Sequence, residues 1–186
     1  MKNLIKSLLD KFDFSFCVLF SDTAFNGDYS FLRDKDLIYE SDEMDEQVKL
    51  ILTYQIDKFK KNKVKHGLII LDDVKLYNTS KSLTDLASKG RHYKLTVICS
   101  VQFAKTLISP AIRGNLDYLF FSDLNINSLK PIYESIVTKM SFNRFVEFVD
   151  DNNHHYQFIF YNGRESDKTK RLKIVKSIVY SKISMI

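Results

Sequence analysis

The chain has 186 residues, of which 45% are hydrophobic and 27% charged, with a formal net charge of +5. This is one domain's worth of ordinary globular sequence, which excludes a wholly disordered chain, a collagen and a disulfide scaffold. Its 5 Gly and 2 Pro stand against about 13 and about 9 at average usage, which argues against a barrel of many short hairpins and for long helices and buried strands.

Leu4, Ile5, Leu8, Leu9 and Phe12 recur at helical spacing, so residues 3–12 read as a short amphipathic helix. The nearly unbroken apolar run from Phe14 to Phe20 reads as a strand buried on both faces. Asn26-Gly27-Asp28 then marks a turn. Met44, Val48, Ile51, Leu52, Ile56 and Phe59 make a helical stripe, with Ser41 or Asp42 as its cap. Acids at its start and Lys58, Lys60 and Lys61 at its end complement the helix dipole.

Gly67 to Leu71 predicts a second buried strand, ending at Asp72-Asp73. Residues 80–90 fit a helix that stops at Gly90. Leu95 to Val101 is a β-branched third strand, and residues 103–113 a short helix interrupted near Pro110. Leu116 to Phe121 predicts a fourth strand, and residues 127–139 and 141–150 predict helices. Tyr156 to Tyr161 and Leu172 to Val179 read as two closing strands that pair as a hairpin around Gly163.

Alternation of strand and helix up to about residue 150 implies crossover units, and hence a mostly parallel sheet with helices on both faces. The last 35 or so residues suggest an antiparallel addition. With no repeat, low-complexity tract or linker, residues 1–186 read as a single α/β domain. Cys17 and Cys99 lie in apolar runs and read as reduced, buried thiols. No apolar run approaches the 18 residues of a membrane span, and the start lacks the apolar core of a secretory signal. A cytoplasmic or nuclear location is expected.

In a parallel sheet, ligands sit beyond the carboxyl ends of the strands. One strand ends there in Leu68-Ile69-Ile70-Leu71-Asp72-Asp73, four aliphatic residues followed by two acids. This is the shape of a Walker B element. The aliphatic residues anchor the strand, and the first acid is held where it can bind magnesium beside nucleotide phosphates. The second can orient or deprotonate an attacking water. Acids after strands also serve as turn formers and caps. The next strand leads to Gln102, whose amide can donate to a terminal phosphate and accept from a water. Further on, Arg113 stands among small and apolar neighbours. It suits either a neighbouring subunit's nucleotide or a surface ion pair.

The series Gly67-Leu68-Ile69-Ile70-Leu71-Asp72-Asp73, then Gly90-Arg91-His92-Tyr93-Lys94-Leu95-Thr96-Val97-Ile98-Cys99-Ser100-Val101-Gln102, then Pro110-Ala111-Ile112-Arg113-Gly114-Asn115-Leu116-Asp117-Tyr118 follows in order. It resembles the genome-packaging ATPases of poxviruses and other large DNA viruses, within the FtsK–HerA superfamily of P-loop NTPases. The resemblance covers most of residues 3–125 and is specific from 67 to 121. It implies a P-loop NTPase-like, mostly parallel sheet flanked by helices, to which the closing strands read above add a C-terminal antiparallel hairpin. It implies Asp72 as the magnesium-associated acid, Asp73 as the catalytic base, Gln102 as the phosphate sensor and Arg113 as a finger acting in trans. Many superfamily members carry Glu where this chain has Asp73. The implied activity is ATP-driven translocation of double-stranded DNA into a capsid by a homo-oligomeric ring. ATP and Mg2+ are its cofactors, capsid or other virion proteins its further partners, and the viral factory of the host cytoplasm or the virion its location.

The pattern departs from the family at the phosphate loop. None of Gly27, Gly67, Gly90, Gly114 and Gly163 lies in G-x-x-x-x-G-K-[ST], the motif whose amides cradle phosphates. The helix at 3–12 looks like the one that follows that loop, so the sequence reads as a packaging ATPase beginning just after it. Weak ATP binding by the chain alone is expected unless another chain supplies the loop. The alternative is a catalytically inactive ATPase-like domain that binds partner subunits or DNA.

Two basic runs stand out. Lys58, Lys60, Lys61, Lys63 and Lys65 read as a solvated helix end more than as a DNA contact. Lys168, Lys170, Arg171, Lys173 and Lys176 have the better case for DNA, because a hairpin presents them together. His154-His155 lacks zinc-ligand spacing, and neither cysteine has the context of a nucleophile. Asp22 and Thr23 read equally as site lining or as a turn.

Overall fold

The computed structural model describes residues 2–24, 29–32, 37–74, 81–100, 112, 114–122, 125–136, 139–152, 154 and 157–176. The chain divides into two compact units, Met1–Leu107 and Ile108–Ile186.

The aliphatic runs of the first unit form the middle of a four-stranded sheet. Its strands are β1 (Phe16–Phe20), β2 (Leu37–Tyr39), β3 (Gly67–Asp72) and β4 (Leu95–Ser100), in the order β2-β1-β3-β4. Every pairing is parallel. From Leu68 to Leu71 and from Cys17 to Phe20 the side chains are buried, as strands covered on both faces require. On one face Cys17, Leu19, Leu68 and Ile70 pack with Ile5 of helix α1 (Lys2–Lys11), with Phe14 and with Tyr29. On the other lie helices α2 (Met44–Lys60) and α3 (Lys81–Lys89), which bury Met44, Val48, Leu52, Leu83 and Leu86. Each fully buried aliphatic side chain contributes about 1.5–3 kcal/mol relative to exposure.

Local details depart from expectation. Strand β1 begins at Phe16, not Phe14, because the Phe14 amide turns back onto the Phe12 carbonyl (3.1 Å). Phe14 instead stacks obliquely on His66, with ring centroids 4.9 Å apart. A Cβ on Gly67 would overlap the Phe16 ring, so close approach of the neighbouring side chain calls for glycine there. Helix α2 is preceded by a 3-10 turn over Ser41–Glu43. Gly90 opens another 3-10 turn, Gly90–Tyr93, and the left-handed residue that ends it is Lys94, at φ 55°. Gln55 is buried in α2, yet its amide donates to the carbonyls of Lys65 and Tyr93, both at 2.9 Å. It thereby ties α2 to the chain entering β3 and β4. Strand β2, paired in register with β1, has no counterpart among the strands expected from sequence.

The second unit holds an antiparallel sheet of β5 (Tyr118–Phe121), β6 (Gln157–Asn162) and β7 (Leu172–Lys176), in the order β5-β6-β7. The expected fourth strand is thus real, but it belongs to the antiparallel layer. Helices α4 (Ile126–Ser135) and α5 (Phe142–Asn152) bury Leu129, Ile132, Phe145 and Val149. Asn125 caps α4, its Oδ1 accepting the Ser128 N–H at 3.1 Å. Phe121, Ile159 and Tyr161 are buried on one side of the sheet, and the Phe121 and Phe145 rings meet at 6.1 Å. Gly163 follows β6, and its N–H donates to the Asp117 carbonyl at 2.7 Å. A Cβ there would come within 2.9 Å of the Leu116 carbonyl oxygen, so the hairpin leaves room only for glycine. The helix expected over 103–113 lies outside the described residues except for Ile112, as do the strand ends expected at Val101 and Val179.

Candidate functional site

The carboxyl edge of the parallel sheet is set by register. Asp72 pairs with Ser100, and Leu71 pairs with both Phe20 and Cys99, so Ser21, Asp72 and Ser100 close three adjacent strands at one level. Rigid burial of Leu68 to Leu71 holds the Asp72 carboxylate at this edge. The hydroxyl of the buried Tyr29 donates to Asp72 Oδ2. The Lys2 ammonium sits 5.5 Å from the centre of the Tyr29 ring. The start of α1 therefore lies on the same side of the sheet edge as Asp72.

Asp73 is exposed and has φ 53°, in the left-handed region. Few residues other than glycine occupy that region, and aspartate is among those that tolerate it. Its N–H donates to the Ser100 carbonyl at 3.3 Å, so the backbone turns out of the sheet just where the second carboxylate emerges. The two acids thus have different surroundings: Asp72 is half-buried and hydrogen-bonded, and Asp73 faces solvent.

Burial, and secondarily the negative charge of Asp72, push the Cys99 thiol up to about 12 from an ordinary value of 9.0. At pH 8 this leaves roughly a thousandfold less thiolate than an unperturbed cysteine holds. Alkylation of Cys99 by iodoacetamide in the folded protein is expected to be at least about tenfold slower than in the urea-unfolded chain, because the greater nucleophilicity of a high-pKa thiolate offsets part of the loss, measured by mass spectrometry. Comparable rates in the two states would contradict this placement. Because the folded protein holds this proton more tightly, the associated stability is present below pH 9 and is lost as pH rises toward 12.

Among the other expected residues, Asp22 has a structural role. Its Oδ1 accepts the Ser41 N–H at 2.9 Å, fastening the start of the turn before α2. Thr23 is engaged with Ser21, hydroxyl to hydroxyl at 3.2 Å. Gln102 and Arg113 lie outside the described residues. Sequence reasoning missed Tyr29 and Lys2. A tyrosine in the core needs a partner for its hydroxyl, but nothing near it in sequence identifies Asp72, 43 positions away.

The donors gathered here are oxygens, the carboxylates of Asp72 and Asp73 and the hydroxyls of Ser21 and Ser100. That chemistry suits magnesium, which commonly binds through one or two carboxylates together with phosphates and water. No group of three or more His, Cys, Asp or Glu suited to a metal occurs among the described residues. A groove on the α2 side, lined by Phe16, Val18, Leu37, Tyr39 and Ile51 with Lys58 beside it, does not include Asp72.

No family model matches the sequence. Uncharacterized protein 075L of Invertebrate iridescent virus 6 is 45% identical over 71 residues, 36% of this chain. That match spans 27% of the relative's length. The genome packaging NTPase B204 of Sulfolobus turreted icosahedral virus 2, solved in complex with AMPPCP, superposes with a TM-score of 0.63 at 18% identity, over 95% of this chain and 89% of B204. The DNA-packaging ATPase B204 of Sulfolobus Turreted Icosahedral Virus gives 0.62 at 18% identity over the same shares. The pCW3 conjugation coupling protein TcpA, solved with ATPγS, gives 0.65 at 12% identity, over 93% of this chain and 54% of TcpA. The fold is therefore the one seen in these ATPase structures: a mostly parallel sheet flanked by helices, with a separate antiparallel sheet. No described helix is long and apolar enough to cross a membrane.

Proposed function

We propose that this chain is the ATPase-like part of a viral DNA-packaging motor, in which ATP is hydrolysed between subunits of a homo-oligomeric ring to move double-stranded DNA. The observation that carries this reading is the carboxylate pair Asp72-Asp73 at the tip of a fully buried parallel strand, on the side where α1 begins. The fold shared with two packaging ATPases supports it.

In this reading Asp72 holds Mg2+, directly or through water, with Tyr29 steadying its carboxylate. Magnesium bound there neutralises charge on the phosphate oxygens. Asp73, exposed at the turn, orients the attacking water and takes its proton. Gln102 donates to the terminal phosphate, and Arg113 reaches the nucleotide held by a neighbouring subunit. The phosphate loop comes from a segment other than residues 1–186, and capsid proteins complete the assembly. A second reading is favoured by the glycines, none of which lies in a phosphate-loop motif: the chain then binds partner subunits or DNA without turnover.

The two readings separate on nucleotide binding. Titration with a fluorescent ATP analogue, with and without Mg2+, is expected to show tighter binding with the metal. Asp72→Asn should remove about tenfold or more of that gain. It keeps an acceptor for the Tyr29 hydroxyl, so the fold is retained. Binding indifferent to Mg2+ in both proteins would leave only the non-catalytic reading.

A further inference from the structure

The antiparallel sheet has two unlike faces. Along β5 and β6, Phe121, Ile159 and Tyr161 are buried, whereas Tyr118, Phe120 and Phe158 are 50%, 48% and 40% exposed. Alternation puts Phe160 on the same side as Phe158. The Phe120 and Phe160 rings stack at 4.6 Å and 30°, and those of Tyr118 and Phe160 at 6.0 Å and 19°. Across the next ladder Lys173 pairs with Phe160 and Val175 with Phe158, so both share this face. The outcome is a solvent-facing row of near-parallel aromatic rings with Lys173 on the same face.

A monomer rarely leaves so many aromatic side chains together in water without a partner. Charge decides what kind. The hairpin carries Arg164, Lys168, Lys170, Arg171, Lys173 and Lys176 against Glu165 and Asp167. Three of these cations are engaged within the hairpin region: Arg164 with Asp117 at 2.9 Å, Lys170 with Asp167 at 3.6 Å, and Arg171, whose Nε donates to the Glu165 carbonyl at 2.7 Å. A protein cover over the rings would also cover Lys173, which is unfavourable unless the cover supplies a matching acid. A polyanion brings that counter-charge with every residue, and its bases are flat rings.

We propose that this face is a stacking platform for the unpaired bases of a single-stranded nucleic acid. Tyr118 and Phe120, at the two ends of the row, take bases on the faces that Phe160 leaves open, and Lys173 holds an adjoining phosphate. Stacking is tolerant of sequence, because every base has a π-face. Bases inside an intact duplex are already stacked on each other and cannot be taken this way.

The test is fluorescence anisotropy of the 186-residue chain with labelled dT20, rU20 and a 20-bp duplex, in buffer without nucleotide or Mg2+. Single strands should bind, and the dT20 and rU20 arms reveal whether a 2′-hydroxyl matters. Phe120→Ala should weaken single-strand binding at least about fivefold, with Phe120→Tyr restoring it. Lys173→Gln should weaken it and reduce the salt slope by about 0.7. Thermal melting checks that these variants remain folded, as expected of exposed positions. Duplex binding equal to single-strand binding and indifferent to Phe120→Ala would overturn the proposal. So would no binding together with a change of oligomeric state in Phe120→Ala, which would assign the face to self-association. Asp73→Asn should bind strands as the unaltered chain does, so failure here and failure of the ATPase reading are separately visible.

Discussion

Asp73→Asn is expected to lower steady-state phosphate release from ATP by about 10²–10⁴-fold, the range in which a positioned general base contributes. Nucleotide binding and the melting temperature should hardly change. The structure makes this substitution informative. Asp73 sits at φ 53°, where asparagine is as well tolerated as aspartate. The Asp73 N–H that meets the Ser100 carbonyl belongs to the backbone and is untouched. Asp73→Ala is less clean, since alanine in the left-handed region adds strain of order 1 kcal/mol. Equal, background-level release from the unaltered chain and from Asp73→Asn would remove the enzyme reading for the 186-residue chain by itself and leave the binding one.

The largest stability effect is expected at Phe145. Its side chain is fully buried in α5, and its ring meets Tyr133 at 5.5 Å and Phe121 at 6.1 Å. Truncating a buried phenylalanine removes transfer energy and leaves a cavity, at a cost of about 3–5 kcal/mol. Phe145→Ala should therefore lose most of the second unit's cooperative unfolding in a urea titration. Phe120→Ala, in the same sheet but half-exposed, should shift the midpoint little. Similar losses from both would mean that the aromatic face is packed after all, and that the sheet has no open side.

Much of this architecture is legible along the chain. The runs ending at Phe20 and Asp72 are short, apolar and bounded by polar residues, as strands buried on both faces must be, and the β-branched run to Ser100 is as plain although its side chains are only partly buried. The stripes of α2 and α3 are equally plain, and the charges of α2 are ordered along the dipole. So is the Asp72-Asp73 pair, because a carboxylate after a buried strand can only emerge at the sheet's carboxyl edge. Three residues, Leu37 to Tyr39, are too few to show a period, so β2 is invisible in the sequence.

What the sequence determined by itself is the set of segments that must leave water and the acids that must stay near it. That information is local, carried by the spacing of apolar side chains. Which strand pairs with which is not local, and an apolar strand reads alike in a parallel or an antiparallel ladder. Only the tertiary structure assigned Tyr118–Phe121 to the antiparallel sheet. It alone brought the Tyr29 hydroxyl to Asp72 and turned Asp73 into the left-handed region. It also split two aromatic-rich strands into a buried side and an open one, because burial depends on what the rest of the chain lays against each face.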